Sequence, residues 1–398
     1  VSGAPAVAAP PGPHPAAGLS SVPHVYAHFP FCARKCPYCD FNSHAGREAE
    51  TEAYVAALLR EAEALGAGTN PRTLFVGGGT PTHAPPAVLA RYLGGLRALL
   101  GDARLEEFTV EANPGSLTEA KVAALVDAGV DRVSLGAQSF DDRHLATLGR
   151  IHGADDTVRG VEALRAGGVR RLSVDLILAI PGQTLDEQAR DADRAVALDP
   201  EHVSAYVLTF EEGTAFTRWM REGRLPAPDD DRDLAHQHLA CERFAAAGYR
   251  RYEVSNHARP GAECRHNLGY WRDAEWLALG AGAHGHVGRR RWKNVSDPAL
   301  YARRVAEGGS AVDWVEAATP EVALFEAMMM GLRLVEGVDL EDLAVRTGID
   351  ARERFAAEIA RHERDGLLRV EGPRLAPTAR GLDLASFVAR SFLPDEAG

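Results

Sequence analysis

Cys32, Cys36 and Cys39 fall in one stretch, Phe31-Cys-Ala-Arg-Lys-Cys-Pro-Tyr-Cys-Asp-Phe41, with the spacing C-x3-C-x2-C. Three thiolates on so short a loop suit three irons of a cubic 4Fe–4S cluster, which ordinarily takes four thiolates. The missing ligand leaves one iron open to a chelating molecule. The amino and carboxylate groups of S-adenosylmethionine (SAM) would fill that position, poised for reductive cleavage to a radical. Two rivals would use the same thiols. Structural zinc asks for four ligands, commonly as two close pairs. Only one C-x2-C pair exists, and Cys241 and Cys264 lie far along the chain in unlike contexts. A disulfide framework asks for a denser and even set, against five cysteines in 398 residues.

Other chemistry-bearing residues follow apolar runs. Gly77-Gly78-Gly79-Thr80-Pro81 is one such segment. Bare glycines admit a ligand close to the backbone, and the lack of a following Gly-Lys-Ser/Thr excludes a Walker loop. The run suits the amino group of SAM; its plainer reading is a turn. Glu111, in Val110-Glu-Ala-Asn-Pro114, offers a carboxylate to a ribose or an ammonium, or is a solvated strand end. Gln138, Arg150 and Asp175 occupy comparable positions. Asp175 lies inside the apolar run 174–180, where an unpaired carboxylate is costly. A ligand, or an ion pair with a residue such as Arg150, would offset that cost. His266-Asn267-Leu268-Gly269-Tyr270-Trp271 begins two residues after Cys264. Imidazole and thiolate both ligate haem iron, and aromatic rings pack on a porphyrin face. On residue types alone, a hydrogen-bonded core histidine with packing aromatics is the stronger reading.

Elements that would position these groups alternate along the chain. Strands are expected over 25–31, 73–76, 108–111, 132–137, 172–179 and 202–209. Helices are expected over 51–65, 87–100, 117–128, 141–148, 155–166 and 185–198. Six strand–helix alternations imply a parallel sheet covered by helices. The polar residues gather after the strands, which in a β/α barrel is the C-terminal mouth. An open doubly wound sheet would place its site similarly. Six units instead of eight would leave a barrel incomplete and open at one side.

Composition narrows the classes. The formal charge is −12, from 44 basic and 56 acidic residues, which argues against a nucleic-acid or anionic-membrane footprint. No window approaches the ~18 apolar residues of a membrane span. The first 23 residues are rich in Ala, Pro and Gly and carry no formal charge. They lack the positive start and unbroken apolar stretch of a secretory signal. Residues 1–20 are expected to be a disordered leader, and the protein to be cytoplasmic, where thiols stay reduced. The rhythm changes after residue 209. Residues 211–318 read as an extension carrying the His266 segment, and 319–398 as a unit with helices over 320–334, 340–347, 351–365 and 379–392. A hairpin is expected between the last two, giving a winged-helix-like layout. Between residues 319 and 398 there are 10 Arg, no Lys and 15 Asp/Glu, a net of −5. DNA binding needs phosphate neutralisation, so a small docking or lid unit is the better reading.

The chain resembles the radical SAM superfamily through Cys32-x3-Cys36-x2-Cys39, the aromatic Tyr38 and the 77–81 run. Further segments resemble the branch related to oxygen-independent coproporphyrinogen III oxidase. They are Tyr26-Ala-His-Phe-Pro-Phe-Cys32, Cys36-Pro-Tyr-Cys-Asp-Phe-Asn-Ser-His44, Val110-Glu-Ala-Asn-Pro114, Gly136-Ala-Gln-Ser-Phe140, Leu148-Gly-Arg-Ile-His152 and Pro181-Gly-Gln-Thr184. They occur in order across residues 24–395. The oxidases carry a fourth cysteine two residues after the third, where this chain has Phe41. The haem-chaperone members of the branch lack that cysteine and carry H-N-x-x-Y-W, which 266–271 fits in full. Leu279-Gly-Ala-Gly-Ala-His284 also looks like theirs.

This resemblance implies an α/β fold, an incomplete (β/α)6 radical SAM barrel over 21–210 with a winged-helix-like α+β domain at 319–398. It implies a 4Fe–4S cluster on Cys32, Cys36 and Cys39. SAM contacts would come from Tyr26, Tyr38, Gly78, Gly79, Thr80 and Glu111. Gln138, Arg150 and Asp175 would touch the same SAM or a second one. Haem would be cargo, held by His266, Asn267, Tyr270 and Trp271, with Cys264 beside them. Its recipients would be haem-requiring apoproteins such as respiratory enzymes, with transient membrane contact and a homodimer among the expectations. Two other activities share these residues: radical decarboxylation of coproporphyrinogen III, and a radical SAM reaction on another substrate with His266 structural. One departure is Leu178-Ala-Ile180, where relatives often show an aromatic and a glycine.

Overall fold

A computed structural model describes residues 14–66, 69–100 and 105–393. Six strands form the spine: β1 (His24–Phe29), β2 (Thr73–Gly78), β3 (Glu107–Ala112), β4 (Arg132–Gln138), β5 (Arg171–Leu178) and β6 (His202–Val207). They pair in parallel and in chain order. A doubly wound sheet reverses direction beside its first strand; this sheet does not, so it winds as a barrel wall. Helices α1 (Thr51–Gly66), α2 (Pro86–Leu99), α3 (Glu119–Asp127), α4 (Asp142–Thr147), α5 (Ala154–Ala166) and α6 (Leu185–Ala197) follow the strands. Thr118 caps α3, and Thr184 with Glu187 forms a reciprocal capping box on α6. Val25, Ala27 and Phe29 of β1 join Val55 and Leu58 of α1 and Leu89 and Leu93 of α2 in the main core.

The wall does not close. Residues 211–318 were expected as an extension, and they add strands to both edges of the sheet. After α7 (Ala215–Arg221) and α8 (Asp230–Ala246), β7 (Asn256–Ala258) pairs antiparallel with β6. Helix α9 (Arg265–Trp271) follows, and β8 (Trp276–Leu279) then runs parallel to β1 on its free edge. Strands β9 (His284–Val287), β10 (Arg290–Asn294) and β11 (Val312–Ala317) continue that edge antiparallel. The six-unit barrel therefore becomes part of a 12-stranded open sheet.

The C-terminal unit has its own core, including Leu324, Met328, Leu343, Phe355, Leu375 and Phe392. Its strands Leu368–Glu371 and Arg374–Pro377 form the expected hairpin, joined by Val338–Asp339. Two expected helices are each split: 351–365 breaks at Phe355 and 379–392 at Leu384, where φ/ψ leave the helical region. The leader expectation needs correction at 14–20. Ala16 is fully buried in the main core, and the His14 ring meets the edge of Trp292 at 5.3 Å. Residues 1–13 lie outside the described residues. No helix among the described residues is long and apolar enough to cross a membrane.

Candidate functional site

The three cysteines leave the end of β1 on a loop clamped at its base. Phe31–Cys32 pairs in parallel with His44–Ala45, so chain entry and exit lie side by side. Lys35 closes the loop from within, its Nζ donating to the carbonyls of Phe41 (3.0 Å) and Ser43 (3.3 Å). Asn42 ties it to the far edge strands, its Nδ2 donating to the carbonyls of Ala281 (2.9 Å) and Ser296 (3.0 Å). All three thiols are half-buried. Cys32 Sγ is 3.5 Å from Thr80 Oγ1, and Arg150 Nη1 reaches Cys36 Sγ at 3.6 Å. Burial raises the Cys32 and Cys39 thiols above their usual range.

The spacing of the sulfurs separates the metal readings. Zinc would hold thiolates roughly 3.8 Å apart, given tetrahedral ligation at ~2.3 Å. Among the described residues, the one group with three ligating atoms all within 4.8 Å is Asp141, His144 and Glu187. The three cysteine sulfurs are not all within 4.8 Å of one another. Three half-buried thiols on one loop facing a cavity fit a cluster.

Behind the loop opens a cavity of about 950 Å³. It is lined by the three cysteines and by Tyr26, Tyr38, Gly78, Gly79, Thr80, Glu111, Gln138, Arg150 and Asp175. The glycine run is bare for a reason the sequence did not reveal. A Cβ on Gly77 would sit 2.7 Å from Glu111 Oε2, and Gly78 has φ +113°. Gly78 N–H donates to Glu111 Oε2 (2.9 Å), while Gly79 and Thr80 N–H donate to the carbonyls of Phe29 and Phe31. With these amides engaged, a ligand meets acceptors, which suits an ammonium. Burial pushes the Glu111 carboxyl up to about 7, and the Asp175 charge adds to the rise.

Asp175 is held differently from expectation. Hydroxyls of Ser134 (3.0 and 2.8 Å) and Ser173 (3.0 Å) donate to its carboxylate. Arg150 instead goes to Cys36 and to the Gly136 carbonyl (3.1 Å). Burial still raises the Asp175 carboxyl above its usual range. The serines carry no signal in sequence, since any strand may hold them. Two residues at the mouth are strained: Gln138 has φ +65° and Ala179 φ +57°. Left-handed backbone costs a non-glycine residue roughly 1–2 kcal/mol, so a glycine would relieve strain at Ala179.

The cavity floor lies at the N-terminal ends of the strands and is made by α9. Cys264, His266, Asn267 and Tyr270 line it; Trp271 does not, because Arg333 of the C-terminal unit covers its ring at 5.7 Å. His266 is 1 % exposed. Its Nδ1 bonds Thr73 Oγ1 (2.7 Å) and its Nε2 bonds Tyr270 Oη (2.9 Å). Its ring stacks on Phe75 at 5.2 Å. Burial lowers its pKa well below the usual range, so the ring is neutral. Both nitrogens are occupied, and an iron would have to displace one partner. Cys264 Sγ donates to Glu107 Oε1 (3.3 Å), and burial raises its thiol far above the usual range. Neither group is presented as a free ligand. Glu107 is a residue sequence reasoning missed: fully buried, it accepts from the backbone N–H of Arg265 (3.1 Å) and His266 (3.0 Å) and from Arg132 Nε (3.2 Å). Its signal was a carboxylate at the start of an apolar run.

Comparison with known proteins gives the family and the fold. Residues 26–195 match the Radical SAM superfamily and 318–384 the HemN C-terminal domain. The heme chaperone HemW of Mycobacterium tuberculosis is 40% identical over 387 residues, 94% of this chain and 97% of that protein. The heme chaperone HemW of Bacillus subtilis is 34% identical over 372 residues, 92% and 98% of the two chains. Among solved structures, the coproporphyrinogen III oxidase HemN from Escherichia coli superposes with a TM-score of 0.81. It is 23% identical, with 94% of this chain and 90% of that one covered, and it supports the fold.

Proposed function

The chain belongs to the heme chaperone HemW family of the radical SAM superfamily, and from that premise we propose that it binds haem and hands it to haem-requiring apoproteins. Superfamily membership implies SAM and a 4Fe–4S cluster. A cluster on Cys32, Cys36 and Cys39 would offer an open iron to SAM's amino and carboxylate groups and a source of electrons. Around it, Glu111 takes the ammonium side of SAM, Arg150 balances Cys36, and Tyr26 and Tyr38 exclude water. Gln138 and Asp175 extend the contacts along the cavity. The cluster and SAM then serve a regulatory or reductive role in haem handling. Recipients are haem-requiring apoproteins such as respiratory enzymes, met in the cytoplasm or by transient membrane contact, and the chain pairs as a homodimer.

What supports this reading most is the near-full-length likeness to heme chaperones, with Phe41 where the oxidases keep a fourth cysteine. The test is transfer. Anaerobically reconstituted protein, loaded with ferric haem, is mixed with a haem-free respiratory cytochrome, and the acceptor's absorption is followed. Transfer without any vinyl product from coproporphyrinogen III, SAM and reductant is expected. Vinyl product without haem transfer would replace this reading with the decarboxylase.

Glu111 gives the SAM site a pH signature. Its carboxyl is raised to about 7, so much of it is protonated below neutrality, and only the carboxylate attracts an ammonium. SAM affinity is expected to rise roughly tenfold between pH 6 and pH 8, by linkage to one proton. Glu111→Gln should weaken binding at pH 8 and flatten the profile. Equilibrium dialysis with labelled SAM checks it, and an unchanged slope in the variant would remove Glu111 from the site.

A further inference from the structure

Parallel register lines up a row of polar side chains inside the barrel. Ser134, Ser173 and His202 stand side by side on β4, β5 and β6. Asp175 and Ser204 stand side by side two residues on, and so share the same inward face. All of them line the cavity.

From Asp175 a chain of hydrogen bonds runs down to α9. Ser173 Oγ donates to Asp175 Oδ1 (3.0 Å), and His202 Nδ1 lies 2.8 Å from Ser173 Oγ. Tyr252 Oη lies 2.9 Å from His202 Nε2, and Asn267 Nδ2 donates to Tyr252 Oη (3.3 Å). The direction of the chain is fixed at both ends, because a carboxylate only accepts and an amide NH2 only donates. Ser173 spends its one proton on Asp175, so it accepts from His202. His202 is buried, and burial lowers its pKa well below the usual range, so the ring is neutral. It therefore carries its hydrogen on Nδ1 and accepts from the Tyr252 hydroxyl on Nε2. Every donor points toward Asp175. This direction also lets both hydrogens of the Asn267 amide be used, since Nδ2 lies 3.5 Å from Glu253 Oε1. Glu253 is buried and accepts from Ser255 N–H (3.0 Å) as well.

The chain has a second arrangement. If Asp175 takes up a proton from water, it becomes the donor to Ser173. Ser173 then donates to His202 Nδ1, the ring hydrogen moves to Nε2, and Tyr252 donates to Asn267. The amide must turn its oxygen to receive that bond, and the turn sets the oxygen against the Glu253 carboxylate. Helix α9 then loses a tie in its first turn. Asp175 is placed to make the choice. Burial raises its carboxyl above the usual range, while the serine hydroxyls and Arg150 pull it down. The other titratable groups that feel its charge are Glu111 and Tyr206. SAM carries a positive sulfonium beside its ammonium, so SAM next to Asp175 holds the carboxylate.

We propose that His202 and Tyr252 are positioning residues that carry the presence of SAM at Asp175 to Asn267, so that α9 tightens when SAM binds. This rests on the reading of Asp175 as a SAM contact. It gives the SAM site a way to act on the cavity floor without touching it.

Amide exchange across 265–271 is followed by mass spectrometry in the anaerobically reconstituted full chain, with and without saturating SAM. SAM occupancy is read on the same samples by equilibrium dialysis. In the wild type, SAM is expected to slow exchange there by roughly fivefold or more, the lower end of site-to-site couplings, and to slow it across 32–45 as well. Tyr252→Phe removes one hydroxyl from a residue that does not line the cavity. It should bind SAM within about twofold of the wild type, as a change at a separate site does. It should keep the effect on 32–45 and lose the effect on 265–271. Ser173→Ala cuts the chain at its other end and should lose the same effect. Both variants are checked for folding by circular dichroism. In nitrogen-15 spectra of histidine-labelled wild type, His202, identified by its absence from His202→Gln, should be the Nδ1–H tautomer with SAM bound. Slowed exchange across 265–271 in SAM-bound Tyr252→Phe would overturn the proposal. So would an Nε2–H tautomer of His202, or no slowing across 265–271, in the SAM-bound wild type. No SAM bound by the wild type would overturn the SAM reading and this one together.

Discussion

Cys32→Ser, Cys36→Ser and Cys39→Ser are each expected to leave the reconstituted protein with essentially no bound iron or acid-labile sulfide. A cluster already one thiolate short of the usual four has no ligand to lose. Nor can another cysteine step in. Cys264 lies in the cavity floor with its thiol on Glu107, and Cys241 lies 3.3 Å from His257 Nε2, behind β6 and away from the loop. The fold should survive, because the three thiols are half-exposed and the loop base is held by strand pairing, Lys35 and Asn42. Iron and sulfide analysis after anaerobic reconstitution, with a thermal melt in parallel, checks both halves. Cys241→Ser and Cys264→Ser should retain full iron. Iron retained by Cys36→Ser, or lost equally from Cys241→Ser, would mean that the metal sits elsewhere.

Much of this site was legible because its parts are local. A cluster loop needs three thiols within a few residues, and the C-x3-C-x2-C run displays them; the strand-end glycines and Glu111 follow apolar runs that are strands. The mouth of the barrel could therefore be read along the chain, residue type by residue type. The floor could not. It is assembled from Thr73, Glu107, Arg132 and the 264–270 segment, which sequence separates by up to 193 residues in a single hydrogen bond, Thr73 to His266. An imidazole beside two aromatics looks the same whether it faces a ligand or a serine, threonine or tyrosine hydroxyl. Only the structure puts Thr73 and Tyr270 on its two nitrogens. The ion-pair alternative for Asp175 failed for a related reason: a buried carboxylate suggests a cation, yet serines on β4 and β5 donate to it.

Glu107→Gln is expected to destabilise the protein by about 3–5 kcal/mol, the usual cost of removing one partner from a buried ion pair. Glu107 and Arg132 are 0% and 1% exposed, so neither charge has water to fall back on. The carboxylate also receives the first two N–H groups of α9 and the Cys264 thiol. An amide of the same shape keeps one acceptor oxygen but turns an NH2 toward donors, and it leaves the Arg132 guanidinium uncompensated. For a chain of this length, with ~2.1 cal/mol/K of unfolding entropy per residue, that loss lowers Tm by roughly 4–6 °C. Arg132→Met should cost less, because Glu107 keeps Arg171 at 3.8 Å and the two α9 N–H groups. Glu107→Leu with Arg132→Met should lose less than the two single losses summed, since no charge is then stranded. It should not return to wild type, because the α9 amides still lack an acceptor. Because α9 is the cavity floor, the singles should also loosen it. Faster hydrogen exchange across 265–271 in Glu107→Gln, with the cysteine loop unchanged, is the local readout. A loss below ~1 kcal/mol in both singles would show that water reaches this pair, and that α9 is held by packing on Phe75 and Trp276 instead.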